Sequence, residues 1–239
     1  MRRLTRGLSE LGLELSPTQA KQFELYYQEL VEWNKRINLT AITDYEEVQT
    51  KHFFDSITVT LALTKADMDK PDLSIIDIGT GAGFPGLPLK IVLDQSRLVL
   101  VDSIAKKAAF LRHISQKLEL TNVEVVTGRA EELARLPSYR QQFDLVVSRA
   151  VASLPTVAEL ALPFCQIGGK FVAQKKGEIS REVDRAGKAI KVLGGKLNQV
   201  RNIEFEGLSD ERCLVIIDKI CPTPEEYPRR TGMPKRRPI

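Results

Sequence analysis

Four glycines fall within eight residues, Gly79, Gly81, Gly83 and Gly86, directly after an apolar run that carries Asp77. Backbone this bare lets a ligand approach the chain closely, and its spacing raises the question of that ligand's charge. From Gly81, "GAGFPG" fits the G-x-G-x-x-G form that receives a pyrophosphate on a helix N-terminus. From Asp77, "DIGTGAG" is an acid followed by G-x-G-x-G, the form found in enzymes that bind S-adenosylmethionine. A carboxylate two residues before the first glycine opposes a phosphate and favours a cation, directly or through water. Phe84 and Pro85 also occupy room that a phosphate needs in the first register. The ammonium and sulfonium of S-adenosylmethionine therefore suit the loop better than a nicotinamide dinucleotide does.

Asp102 lies twenty-five residues after Asp77, at the end of the next apolar run, with Ser103 behind it. A carboxylate at that point can accept both ribose hydroxyls, which either cofactor would offer. "GRAEEL" follows the third run and places Ala130 and Glu131 to meet an adenine edge. Glu131 fits equally well as an acid at a helix N-terminus, stabilised by the dipole.

The fourth run reads "FDLVVSRAV" and ends on Ser148 and Arg149. It lacks the Asn/Asp-Pro-Pro-aromatic signature of enzymes that methylate exocyclic amines in nucleic acids. Carbon-5 pyrimidine methylation needs a cysteine nucleophile, but Cys165 and Cys213 sit where burial as small apolar residues explains them better. Both absences point to an acceptor that is nucleophilic at neutral pH. Guanine N7 is one such acceptor; a small-molecule amine or carboxylate satisfies the same logic. Arg149 could hold the cofactor carboxylate, grip a nucleic-acid phosphate, stack near the base or pair with an acid. It does not serve as a general base, because it stays protonated, and no other residue stands out as catalytic. Of the two histidines, His113 reads as solvated; His52, close to Asp55, reads as a structural hydrogen-bonding residue ahead of a catalytic one.

The elements that must position these residues are legible as patterns. Residues 1–70 read as a helical extension: Ser16-Pro17-Thr18-Gln19 is a capping box, and Phe23, Tyr26, Tyr27, Leu30 and Trp33 form one apolar face. Residues 71–221 alternate short β-branched runs, Ser74–Ile78, Arg97–Val101, Val123–Val126, Phe143–Val147 and Lys170–Ala173, with helical stretches such as Ala105–Leu118. Runs that are apolar throughout predict a parallel α/β sheet covered on both faces. Two later runs joined around Gly207–Asp210 predict a closing hairpin with an antiparallel last strand. Residues 222–239 hold five prolines and five Lys/Arg, which predicts a basic arm that is neither helix nor inner strand. The arm and the pair Lys175–Lys176 suggest phosphate contacts with RNA or DNA, or a merely solvated tail.

The 239 residues, 43% hydrophobic and 28% charged with a net charge of +4, describe a globular protein that permits a polyanionic partner. No run is long enough to cross a membrane, and the N-terminus lacks the apolar segment of a secretory signal. Three cysteines without a CxxC predict a reduced, cytoplasmic setting with no disulfide and no metal site. The sequon at Asn38 is then without consequence.

Taken together, "WNKRINLTAI", "KHFFDS", "DIGTGAGFPGLPLKI", "VDSIAKKAAFL", "GRAEEL", "SRAV" and "YPRRTGMPKRRP" resemble the glucose-inhibited division protein B family of bacterial small-subunit ribosomal RNA methyltransferases. The resemblance runs from about Trp33 to Pro238. It implies a Rossmann-like, seven-stranded S-adenosylmethionine-dependent fold that methylates N7 of a guanosine in the 530 loop of 16S rRNA, with 16S rRNA or the small ribosomal subunit as partner; a monomer is the separate expectation for the chain. By the same resemblance Gly79, Phe84, Ala130, Glu131 and Arg149 would contact the cofactor, joining Asp77, Gly81, Gly83, Asp102 and Ser103. Asn38, His52, Asp55, Lys175, Arg229 and Arg230 would face the RNA, with Lys176 beside them.

Overall fold

A computed structural model describes residues 1–205, 208 and 211–239. Each β-branched run becomes a strand: β1 Ser74–Ile78, β2 Arg97–Asp102, β3 Val123–Thr127, β4 Phe143–Arg149, β5 Cys165–Lys176, β6 Gly195–Ile203 and β7 Arg212–Lys219. They form one sheet in the order β3-β2-β1-β4-β5-β7-β6, with β7 antiparallel to both of its neighbours and the other strands parallel. The antiparallel last strand and the hairpin agree with expectation; the turn expected around Gly207–Asp210 falls outside the described residues apart from Leu208.

Alternation along the strands splits the core in two. Ile75, Leu98, Leu100, Leu145, Val147, Val172, Leu214 and Ile216 face one side, whereas Ile76, Ile78, Val99, Val101, Val146, Phe171, Val215 and Ile217 face the other. Both faces are apolar because both are covered, which is why the inner strands read as continuous apolar runs.

The first face carries the N-terminal extension: α1 Arg2–Glu10, α2 Pro17–Asn34, α3 Tyr45–Glu47, a π-helical segment Val48–Phe54, α4 Asp55–Ile57, a 3₁₀ turn Thr58–Ala62 and α5 Lys65–Met68. With it lie α6 Gly86–Val92 and α7 Ala105–Lys117. The apolar stripe of α2 is buried at Phe23, Tyr26 and Leu30, as its spacing predicts. Polar contacts fix its register: Gln19 Nε2 donates to the Ile91 carbonyl and Gln22 Nε2 to that of Leu118, both at 2.7 Å. His113 of α7 belongs to this interface, 2.6 Å from Glu29 and packed on Trp33, so the solvated position expected for it is wrong. On the other face lie α8 Ala130–Leu133, α9 Leu154–Ala161 and α10 Ser180–Val192.

Two boundaries differ from expectation for identifiable reasons. β5 begins at Cys165, five residues before the expected Lys170, and runs through Gly168 and Gly169. A Cβ on Gly169 would lie 2.7 Å from the Asp144 carbonyl, so the close approach of β4 and β5 at the register shift requires the glycine. The arm, expected to exclude helix, contains one helical turn, α11 Met233–Arg236; its Pro234 stands in the first turn, where a missing N–H is tolerated.

The Ser16 hydroxyl accepts from the Gln19 N–H at 3.2 Å while Gln19 Oε1 accepts from the Ser16 N–H at 2.9 Å. Ser16→Ala is expected to cost about 1 kcal/mol in urea unfolding with an unchanged m-value. An unchanged midpoint would show that tertiary contacts alone set the start of α2.

Candidate active site

Asp77 sits near the end of β1, wholly buried, with its side chain on the face that carries the extension. Its Oδ2 accepts hydrogen bonds from the Thr80 hydroxyl at 2.6 Å and the Gly86 N–H at 2.8 Å. The carboxylate thereby fastens both ends of the glycine loop. Gly86 must be glycine, because a Cβ there would lie 2.9 Å from Asp77 Oδ2 and 2.6 Å from Leu100. Gly79, Gly81 and Gly83 all have positive φ, which lets the loop turn sharply. Asp77 Oδ1 has no hydrogen-bond partner among the described residues. Burial pushes the Asp77 pKa up to about 6, partly offset by the bonds from Thr80 and Gly86 and by the Arg149 charge.

A cleft of about 110 Å³ opens at the carboxyl ends of β1, β2 and β3, lined by Gly79, Asp102, Ser103, Ala130, Glu131 and Val151 among others. Asp102 Oδ2 accepts from the Gly81 N–H at 3.0 Å and Oδ1 from the Ile104 N–H at 2.8 Å, which aims the carboxylate at the loop and leaves each oxygen further acceptor capacity. A Cβ on Gly81 would meet nothing within 4 Å among the described residues, so the loop is open where a ligand would approach. Val151 packs across Gly79, where a Cβ would fall 2.7 Å from its Cγ2. The residues fit S-adenosylmethionine: a buried carboxylate with one unpartnered oxygen lies behind the bare loop, and acceptors line the cleft where ribose hydroxyls and a nucleobase edge would be met. A pyrophosphate on this loop would face Asp77 and Asp102 together.

Beside the loop lies a second, drier cluster. Phe84 does not face the cleft; its ring stacks with His52 at 4.5 Å and Tyr26 at 5.4 Å between centroids, and the Arg149 guanidinium lies 4.8 Å from its centre. Tyr26 donates its hydroxyl to the Ala82 carbonyl at 2.6 Å, so the extension grips the loop backbone. Arg149 Nη1 reaches Asp55 Oδ2 at 3.0 Å, and Arg212 of β7 reaches the same oxygen at 3.3 Å. His52 contacts the Thr40 hydroxyl through Nε2 at 2.7 Å; burial and the Arg149 charge push its pKa down to about 3, so it is neutral at physiological pH.

The structure thus assembles Asp77, Gly79, Gly81, Gly83, Asp102, Ser103, Ala130 and Glu131 around one loop and cleft, and it turns the side chain of Phe84 away from that cleft. It redistributes the residues expected to face RNA. His52, in the π-helical segment, and Asp55, at the start of α4, are buried at 8% and 2% exposure, against Phe84 and Arg149 respectively. Lys175 pairs with Glu182 at 2.7 Å and donates to the Ala152 carbonyl at 2.6 Å. Arg229 pairs with buried Glu159. Asn38, Lys176 and Arg230 are exposed. Glu159, Arg212 and the hydroxyl of Tyr26 escaped the sequence reading, although a lone acid in the apolar helix "LPTVAELA" is itself a signal of a buried ion pair. Cys165 and Cys213 are buried as expected, and burial raises their thiols to about 12 and about 11.

The family model for rRNA small subunit methyltransferase G matches residues 19–211. The chain belongs to this family. A Dehalococcoides mccartyi ribosomal RNA small subunit methyltransferase G is 52% identical over the full length of both chains, and one from Roseiflexus castenholzii is 48% identical over the same span. Among solved structures, a Bacillus cereus O-methyltransferase in complex with S-adenosylhomocysteine superposes with a TM-score of 0.58, covering 90% of this chain and 97% of its own at 17% identity. That likeness establishes the Rossmann-like methyltransferase fold.

The raised pKa fixes the sign of one pH effect. The folded state holds the Asp77 proton up to about pH 6, whereas an ordinary carboxyl releases it near 3.8. The contribution of Asp77 to stability is therefore greatest below that lower value and is lost as pH rises through about 6. Wild type minus Asp77→Asn stability, measured by urea unfolding across this window, is expected to fall with rising pH. A difference that is flat in pH overturns the buried-carboxyl assignment.

Proposed function

We propose that this protein transfers a methyl group from S-adenosylmethionine to N7 of a guanosine in 16S rRNA, in the 530 loop. The observation that carries the cofactor half is the buried, half-satisfied carboxylate of Asp77 behind a loop of bare backbone. When bound, S-adenosylmethionine supplies a methyl group activated by a sulfonium. Asp77 keeps negative charge at the base of the loop, Asp102 offers acceptors to the ribose, and Ala130 and Glu131 bound the cleft where the adenine edge would lie.

The acceptor half rests on what surrounds β4. Of the three cysteines, Cys165 and Cys213 are buried and held protonated and Cys221 is exposed after β7; the two buried thiols suit an acceptor that needs no covalent activation. His52 is neutral and enclosed, and Arg149 is committed to Asp55, so no group at the end of β4 is poised to remove a proton. Guanine N7 carries no proton to remove. The protein's work reduces to alignment and exclusion of water, and the rigid Phe84–His52–Arg149–Asp55 cluster provides the first of these. Asn38, Lys176, Arg230 and the exposed Lys235, Arg236 and Arg237 supply polar and cationic groups for an RNA backbone. Arg149 acts on that reading as a positioning residue.

The test transfers labelled methyl to small-subunit particles from a strain lacking this protein and maps the modified base. Label on guanine N7 is expected; label on an exocyclic amine, or none on RNA with turnover on a small molecule, overturns the proposal. Cys165→Ala and Cys213→Ala are each expected to retain turnover within about two-fold, whereas loss of a covalent nucleophile costs orders of magnitude.

A further inference from the structure

The C-terminal arm is docked, and the way it is docked touches the cleft. Arg140 donates to the carbonyls of Thr223, Pro224 and Tyr227, and Arg135 donates to those of Glu226 and Pro228. At its centre Arg229 meets Glu159 of α9, a carboxylate with 0% exposure. The Arg229 N–H and Nε donate to Glu159 Oε1 at 2.8 Å each, and Nη2 donates to Oε2 at 2.5 Å. Nη2 also donates to the Arg237 carbonyl at 2.7 Å, closing the arm into a loop. Every hydrogen bond that Glu159 accepts from the described residues comes from Arg229. One turn earlier on α9, the Thr156 hydroxyl donates to the Pro234 carbonyl at 3.2 Å.

Between these two anchors the arm meets the cleft wall. The Gly232 N–H donates to Glu131 Oε1 at 2.9 Å, and the Thr231 hydroxyl donates to Glu132 at 3.2 Å. Glu131 lines the cleft, and so does Leu160, the residue next to Glu159. An ion pair on a fully buried carboxylate is a poor choice for stability alone, since apolar residues of similar volume commonly serve as well. What a forked, three-bond pair provides is a fixed register, and register determines where the Gly232 N–H points.

We propose that Glu159 and Arg229 are positioning residues for methyl-donor binding: their ion pair seats the C-terminal arm so that the Gly232 N–H holds the Glu131 carboxylate against the cofactor cleft. The arm then serves the cofactor through Arg229, and RNA only through its exposed cations. This inference rests on the reading of the cleft as the S-adenosylmethionine site.

Calorimetry with S-adenosylhomocysteine and methylation kinetics on small-subunit particles test it in the full-length protein. Arg229→Ala is expected to weaken S-adenosylhomocysteine binding and raise the KM for S-adenosylmethionine about tenfold, with the KM for particles changed less than about two-fold. Glu131→Ala is expected to match it, and the double variant to be no weaker than Glu131→Ala alone, because Arg229 acts through Glu131. Arg229→Lys and Glu159→Gln keep the arm's shape but lose the charged fork, and are expected to fall between; they carry the test if Arg229→Ala does not fold. Wild-type binding by Arg229→Ala, or losses that multiply in the double variant, overturns the proposal. So does a raised KM for particles with a changed salt dependence and intact cofactor binding, which would make Arg229 an RNA contact. Failure of the wild-type protein to bind S-adenosylhomocysteine would instead remove the assignment of the cleft.

Discussion

Asp77 is closed off from water and must find its hydrogen bonds within the protein, and Thr80 and Gly86 are where it finds them. This requirement shapes the whole glycine loop. It brings the N-terminus of α6 against the end of β1, excludes a side chain at residue 86, and leaves residues 79–83 to bow outward with positive φ at three glycines. Asp102 completes the turn from the neighbouring strand by taking the Gly81 N–H. The two acids thus build the backbone surface that the cofactor meets, and their charge suits a cationic ligand. Shape and electrostatics come from the same residues.

The N-terminal extension is part of this construction and not a separate body attached to it. Tyr26 holds the Ala82 carbonyl, and Phe84 anchors among Tyr26, His52 and Arg149. Asp55 then ties β4 and β7 to the extension through Arg149 and Arg212. The Asp55 carboxylate is compensated from two strands at once, which couples the extension to β4 and β7. Removing one partner of such a pair leaves an uncompensated ion in the interior, at a cost of several kcal/mol.

Much of the fold was legible in the sequence because its signals are local. Strand runs, the capping box and the α2 stripe depend on neighbours a few residues apart, and the glycine loop announces its ligand's charge through Asp77. Side-chain direction was less legible. Whether His52, Asp55, Lys175 and Arg229 face solvent or one another depends on partners 7 to 157 residues away, His52 within a π-helical segment and Asp55 directly after it. Basic composition pointed to RNA, whereas the arm spends Arg229 internally and shows its remaining cations outside. The early start of β5 was missed for a related reason: crowding of β4 against β5 uses Gly169 inside a strand, and crowding is not a property of a single segment.

The place of β7 in the sheet sets the order in which the molecule can be completed. It is the last strand in chain order among the described residues, Arg212–Lys219, yet it lies between β5 and β6. Until it arrives, β5 and β6 have no common neighbour, and two unpaired strand edges stand open side by side. Asp55 likewise waits for its second arginine until residue 212 has been made. A nascent chain therefore stays open at one flank until β7 has emerged, and a product terminated before β7 presents unpaired strand edges.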